Sequence, residues 1–444
     1  MLKHNLLDLL VCLLLVALPA GCATHADRLR QVRAQFYSGS LETARSTINA
    51  DVTLHGGEAN VLKLERAIVD LSAGRPKDAE QTLREVRDAF DYLEQKSLAE
   101  GALAMATDDN AMSYAGEDYE KILIRALLAL SNLMGDGGDA EAYSLQVAEK
   151  QDQIIQHGAD ASGKNPKADY KRVALGAYLR GVLREETHFD YDDAARSWAK
   201  VVSWEPAFAP GPEDVQRAEH GTHCQPGHGV LYVFTLVGRG PYKVEKAEVR
   251  SSIAMLIGDR IVSGTARHTL PPTLAPIKVP MVVVSPFHVA GVEVAVDGHG
   301  VGVTQTITDV GRLAVEQYQA IYPSVLTRAV LRRLAKKGTI YAVKEATGTK
   351  NNSWQNLVFD LAGVAWEASE SADTRCWGLL PDKIQVLRIE LPAGEHRIGL
   401  HATGSFAGGS EEQTLARIID GRNTYLLANF PDDRLVGKVL QSNR

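Results

Sequence analysis

The stretch VLKLERAIVDLSAGRPKDAEQTLREVRDAF, residues 61–90, decides how the first half of the chain is read. Before its middle, Leu64, Ala67, Ile68 and Leu71 recur at the three- and four-residue spacing of one helical face. A second apolar segment follows, and between the two stands Gly74, with Ala79 five residues later. The same pair returns as Gly39 with Ala44 and as Gly135 with Ala140. A helical hairpin needs a turn glycine and then a small residue that lets its helices approach, so these pairs mark hairpins.

From Asp27 to Pro206 the chain is rich in Ala, Leu, Glu, Gln, Arg and Lys, and Pro interrupts it only at Pro76 and Pro166. A fourth unit lacks the glycine but keeps Tyr178, Ala194, Trp198 and Pro206 at the large, small, aromatic and terminating positions of a tetratricopeptide repeat. The segment 22–206 therefore resembles tetratricopeptide-like repeats. The alanines are not evenly spaced, so extra segments are expected around Leu98–Tyr119 and Gly158–Tyr170. The resemblance implies stacked hairpins with a concave surface for protein partners.

With 444 residues, 45% hydrophobic and 23% charged, the composition is globular and excludes a disordered or polytopic membrane chain. A formal net charge of −7 gives the molecule no electrostatic reason to seek nucleic acid.

At the amino terminus, Lys3 and His4 precede the apolar run Leu9–Leu18 and then Leu18-Pro19-Ala20-Gly21-Cys22. The run is too short for a helix to span a bilayer of about 30 Å but fits an export signal. Its ending resembles the lipobox of bacterial lipoproteins, which implies a signal peptide 1–21, acylation of Cys22 and, with Ala23 next, an outer-membrane address facing the periplasm. Pro19 stands where the lipobox prefers Leu. Cys12 lies in the signal, so Cys224 and Cys376 either form a disulfide in the exported compartment or remain two buried thiols.

After Pro206 the composition shifts. Residues 207–229, dense in Pro, Gly and His, read as a linker, and 230–444 as an α+β domain. Strands are expected at Val230–Val237, Val279–Val284, Val289–Val296 and Val301–Ile307, the last two as a hairpin turning at Asp297-Gly298. Asp309 caps a helix to about Lys337 that Pro323 kinks or restarts, and a second helix covers 353–369. Lys383–Leu391, Glu395–His401, Gln413–Ile419 and Asn423–Phe430 complete an antiparallel sheet. The fold class is thus multidomain, α followed by α+β.

Gly240-Pro241-Tyr242-Lys243, the run Ala372-Asp373-Thr374-Arg375-Cys376-Trp377-Gly378-Leu379-Leu380-Pro381 and Leu391-Pro392-Ala393-Gly394-Glu395-His396 resemble an uncharacterised family of bacterial lipoproteins. In that family a tetratricopeptide-like half precedes a β-rich half. Members of that family tend to be encoded near lipoproteins resembling activators of penicillin-binding proteins, so the resemblance implies the cell envelope, and it brings no catalytic residue.

Few residues suggest chemistry. His220, His223, Cys224 and His228 lack the paired spacing of a zinc site and read as a polar loop. Arg328, Arg332, Arg333, Lys336 and Lys337 form a basic stretch near a helix end, either a solvated face or a contact for anionic lipid or acidic wall polymer. Asp373 and Arg375 read as a structural ion pair above Trp377 and Pro381. No nucleophile elbow, zinc-protease motif or phosphate loop occurs. The expectation is a lipid-anchored scaffold that binds envelope proteins through its repeats, without cofactor, metal or catalysis. The competing reading is a periplasmic enzyme or ligand-binding lipoprotein acting through the second half.

Overall fold

The computed structural model describes residues 25–100, 113–159, 163–248, 276–286, 289–346, 371–404 and 409–442. The export signal expected at 1–21, Cys22 and the helix expected at 353–369 lie outside them.

The helical half comprises α1 (His25–Tyr37), α2 (Leu41–Leu54), α3 (Ala59–Ser72), α4 (Pro76–Glu100), α5 (Asp118–Met134), α6 (Ala140–Gln156), α7 (Leu175–Glu185), α8 (Tyr191–Trp204) and α9 (Gly211–Glu219). A 3-10 turn, Gly56–Glu58, joins α2 to α3. Each helix packs on the next along the chain. Gly39 and Gly74 take φ of +80° and +85°, and Ala44, Ala79 and Ala140 are buried where the hairpin helices meet. In the third hairpin the left-handed residue is Gly137, two positions after the expected Gly135. Tyr178 and Trp198 meet edge to face at 4.9 Å, with Ala194 buried on the same helix as Trp198.

The second half contributes β1 (His228–Val237), β2 (Tyr242–Glu248), β3 (Ile277–Val283), β4 (Val289–Val296), β5 (His299–Val303), β6 (Gln305–Asp309), α10 (Val310–Ala346), β7 (Lys383–Pro392), β8 (Gly394–Gly404), β9 (Glu412–Ile418), β10 (Asn423–Phe430) and β11 (Leu440–Gln441). Three sheets result, ordered β11-β10-β1-β7-β6, β5-β4-β8-β9 and β2-β3. The expected α-then-β layout is present.

Strand β1 explains the layering. On one face, Val230, Tyr232, Phe234 and Leu236 share a core with the helices, reaching Tyr178 and Phe208. On the other, Leu231, Val233 and Val237 pack on the four-stranded sheet with Val292, Val294, Ile398 and Leu400. A strand covered on both faces has no polar side to alternate with, hence its unbroken apolar run.

Five expectations are corrected. Residues 207–229 are not a linker: Pro212 sits in the first turn of α9, where its missing N–H costs nothing, and α9 packs on α8. The two halves are not separate domains, because one core runs through both. The closing strands do not form one antiparallel sheet. Residues 419–422 carry the chain from one sheet to another, so β10 runs parallel to β1. Val301–Ile307 splits at Thr304, β5 pairing with β4 and β6 with β7. The helix that Asp309 caps, through Oδ1 accepting from the Arg312 N–H at 2.9 Å, runs through Pro323 to Ala346, past Lys337.

Candidate binding cleft

Where the start of α5, the β2-β3 ribbon, α10 and residues 371–375 converge, they enclose a cleft of about 390 Å³. Its wall on α5 begins with a capping box: Glu117 caps the helix and Glu120 returns a side-chain bond to the Glu117 N–H at 3.1 Å. Glu120 is fully buried and also accepts from the Tyr114 hydroxyl at 2.5 Å, the Trp377 N–H at 2.7 Å and the Tyr119 hydroxyl at 3.3 Å. Burial, then Glu117, push its carboxyl up to about 7.

Strand β2 places Lys243 against Glu117, 6% exposed. Burial pulls the ammonium down, but the charges of Glu117 and Asp373 outweigh it and hold it above the ordinary lysine range. Asp373 binds Arg375 in bidentate fashion, Oδ1 to Nε at 2.9 Å and Oδ2 to Nη2 at 2.8 Å. Burial raises that carboxyl, and Arg375 more than offsets it. Arg375 also donates to the Gly57 carbonyl at 3.2 Å and lies 5.4 Å from the Tyr114 ring centre. The ion pair read from sequence is therefore present, and it is part of the cleft wall with Trp377 fully buried behind it.

Helix α10 lines the cleft with one face. Ala314, Gln317, Ile321, Val325, Arg328 and Arg332 recur at helical spacing along it. Gln317 is 4% exposed, and among the described residues neither its Oε1 nor its Nε2 has a hydrogen-bond partner. The tyrosine hydroxyls of the wall are engaged elsewhere: Tyr170 donates to Asp118 at 3.3 Å and Tyr318 to the Pro280 carbonyl. Lys167 pairs with Asp118 at 2.6 Å and Lys278 with Glu245 at 3.0 Å. What the cleft offers a ligand is thus an amide, a short apolar stripe and positive charge rather than a poised acid-base pair.

The other candidates scatter. Arg328 is exposed at the cleft, whereas Arg332 and Arg333 are buried, Arg333 donating to the Pro276 carbonyl at 3.3 Å. The basic stretch is therefore not one solvated face, because α10 continues inward against β3; the side chains of Lys336 and Lys337 lie outside the description. Cys224 and Cys376 are both free. The Cys224 thiol donates to the His228 carbonyl at 3.1 Å, while Cys376 is buried beside Glu120 and its thiol is pushed up to about 12 by burial. His220 is exposed and His223 is buried 3.5 Å from Glu185. Among the described residues no group of three His, Cys, Asp or Glu is placed to hold a metal, and no helix is long and apolar enough to cross a membrane.

Sequence reasoning missed Gln317 and Lys243 as site residues. Lys243 lay inside a quoted motif, but a lone Gln on an amphipathic helix carries no signal until its neighbours are known. Comparison with protein-family models, characterised proteins and solved structures finds no match to this chain.

Proposed function

We propose that this chain is a lipid-anchored binding protein of the cell envelope, acylated at Cys22, facing the periplasm from the outer membrane, and acting as an adaptor without catalysis. Its hairpins are of the tetratricopeptide-like kind, but the partner is taken in the cleft between α5, the β2-β3 ribbon and α10. One observation carries this reading: Gln317 is buried in the cleft wall with both amide atoms unpartnered among the described residues. Leaving a buried amide unpaired costs about 1–3 kcal/mol, a cost a ligand would remove. The helical layer itself is an unsuitable groove, because its inner face already holds the chain's own sheet.

A second reading keeps the partner on the outer helices, where Leu54 on α2, Tyr92 on α4 and Leu145 on α6 stand exposed. A photo-crosslinking residue at Ile321 or at Leu145, tested in intact cells, separates the two. Crosslinks from Ile321 support the cleft; crosslinks from Leu145 alone overturn it in favour of the outer face. For the anchor, Cys22→Ser is expected to move the protein from the membrane fraction to the periplasmic extract, and unchanged membrane association would refute lipidation.

A further inference from the structure

We infer that the cleft takes a short acidic peptide segment, its main chain held by Gln317 and its carboxylate drawn to Arg328; this rests on the reading of the cleft as the binding site. A primary amide presents a donor and an acceptor side by side, and the N–H and C=O of one residue in an extended peptide, which point the same way, satisfy both together. Beyond Gln317 the same helical face turns apolar at Ile321 and Val325, opposite Pro280 and Val282 of β3. One turn past Val325 comes the exposed guanidinium group of Arg328.

The order along the wall is therefore amide, aliphatic, cationic. An extended acidic peptide reproduces that order, with a peptide bond, a small side chain and a carboxylate. An anionic lipid does not, since its acyl end would lie against the unpaired amide. A volume of about 390 Å³ suits a few residues and is too small for a folded partner. Lys167, Lys243 and Arg375 are paired with the wall carboxylates Asp118, Glu117 and Asp373 and Lys278 with Glu245, and the exposed Arg328 adds positive charge at the far end of the stripe.

The test is isothermal titration of the full chain with three probes: acetyl-Ala-Glu-Ala-Glu-amide, its Ala-Lys counterpart, and N-acetylglucosamine, which carries an amide without a charge. Binding of the acidic peptide alone, weakened about tenfold or more by Gln317→Leu and by Arg328→Glu and reduced by salt, supports the inference. Arg328 is exposed, so its variant remains informative should the buried one misfold. Equal binding of both peptides, or unchanged affinity in Arg328→Glu, overturns it. Binding of N-acetylglucosamine alone overturns the acidic-peptide assignment while sparing the cleft. No binding of any probe also overturns the assignment, and the crosslink from Ile321 then decides separately whether the cleft is a site.

Discussion

Arg375 and Gln317 are opposite uses of a buried polar side chain. Arg375 is 3% exposed and its charge is met by the two oxygens of Asp373, whose own carboxyl stays below the ordinary carboxylate range. Deleting either partner strands the other, so Asp373→Ala and Arg375→Ala are each expected to cost on the order of 3 kcal/mol in urea unfolding. A loss under about 1 kcal/mol would mean that solvent replaces the partner, as at an exposed pair. At Gln317 the same physics runs the other way: with nothing to lose, Gln317→Leu is expected to hold or raise stability by about 1 kcal/mol while removing ligand binding. A fall of several kcal/mol would reveal a structural partner and remove the basis for the site. The first of these was legible, since Asp373 and Arg375 are two residues apart and their pairing is local. The second was not, because the environment of Gln317 is assembled from α5, β3 and α10, far apart in sequence.

At the scale of elements, the first helix of successive hairpins carries a buried glutamate toward the second half. Glu65 on α3 accepts from the Gly378 and Leu379 N–H groups at 2.7 and 2.8 Å, Glu120 on α5 from Trp377, and Glu186, capping α7, from the Asn423 N–H at 3.0 Å. Burial raises the Glu65 carboxyl and outweighs Arg33 and the two backbone bonds, which favour its charged form, so that like that of Glu120 it rises to about 7 from 4.5. A folded-state value above the unfolded one means the folded chain binds the extra proton. The contribution is therefore full below about pH 4.5 and is lost as pH rises through about 7, on the order of 3 kcal/mol for each group. Glu185 acts in reverse: burial raises it, while His223 and Arg217 bring it below the ordinary value, so its contribution disappears on acidification. Thermal unfolding is expected to show greater stability near pH 5 than near pH 7.5, with the difference reduced in Glu120→Gln; a flat profile over that range would show both carboxyls ionised in the folded chain. The closing segment docks on α3 by a similar contact, Lys438 N–H to the Ser72 carbonyl at 2.9 Å. Gly437 allows it, with φ +90° and a Cβ position only 1.9 Å from that carbonyl oxygen. Gly437→Ala should cost about 2–4 kcal/mol and free the C-terminal tail to proteolysis. The helices and most strands were legible from periodicity and turn residues, whereas these contacts join residues more than two hundred positions apart and leave no local pattern.

For the whole molecule, the central sheet sets what can be separated. Its helix-facing side presents Tyr232, Phe234, Ile384, Val386, Tyr425 and Leu427, each at most 2% exposed, and the helices are their cover. The shift in composition after Pro206 marks a change of secondary structure and was legible as such. It does not mark a domain boundary, because composition reports what each segment forms and not what it rests on. Strand β1 held the clue: an apolar run without alternation needs a layer on each face, and among the described residues the four-stranded sheet covers one face while the helical half shares the core on the other. Uncovering six such side chains at about 1.5–3 kcal/mol each forfeits on the order of 10 kcal/mol, comparable with the whole stability of a typical fold. Residues 230–444 expressed alone are therefore expected to aggregate or to lack protected amides in the β1, β7 and β10 strands by hydrogen exchange, while the intact chain unfolds in one transition. A monomeric 230–444 fragment with native protection in those strands would show that the sheet has another cover, and would return the helical layer to a role in holding a partner.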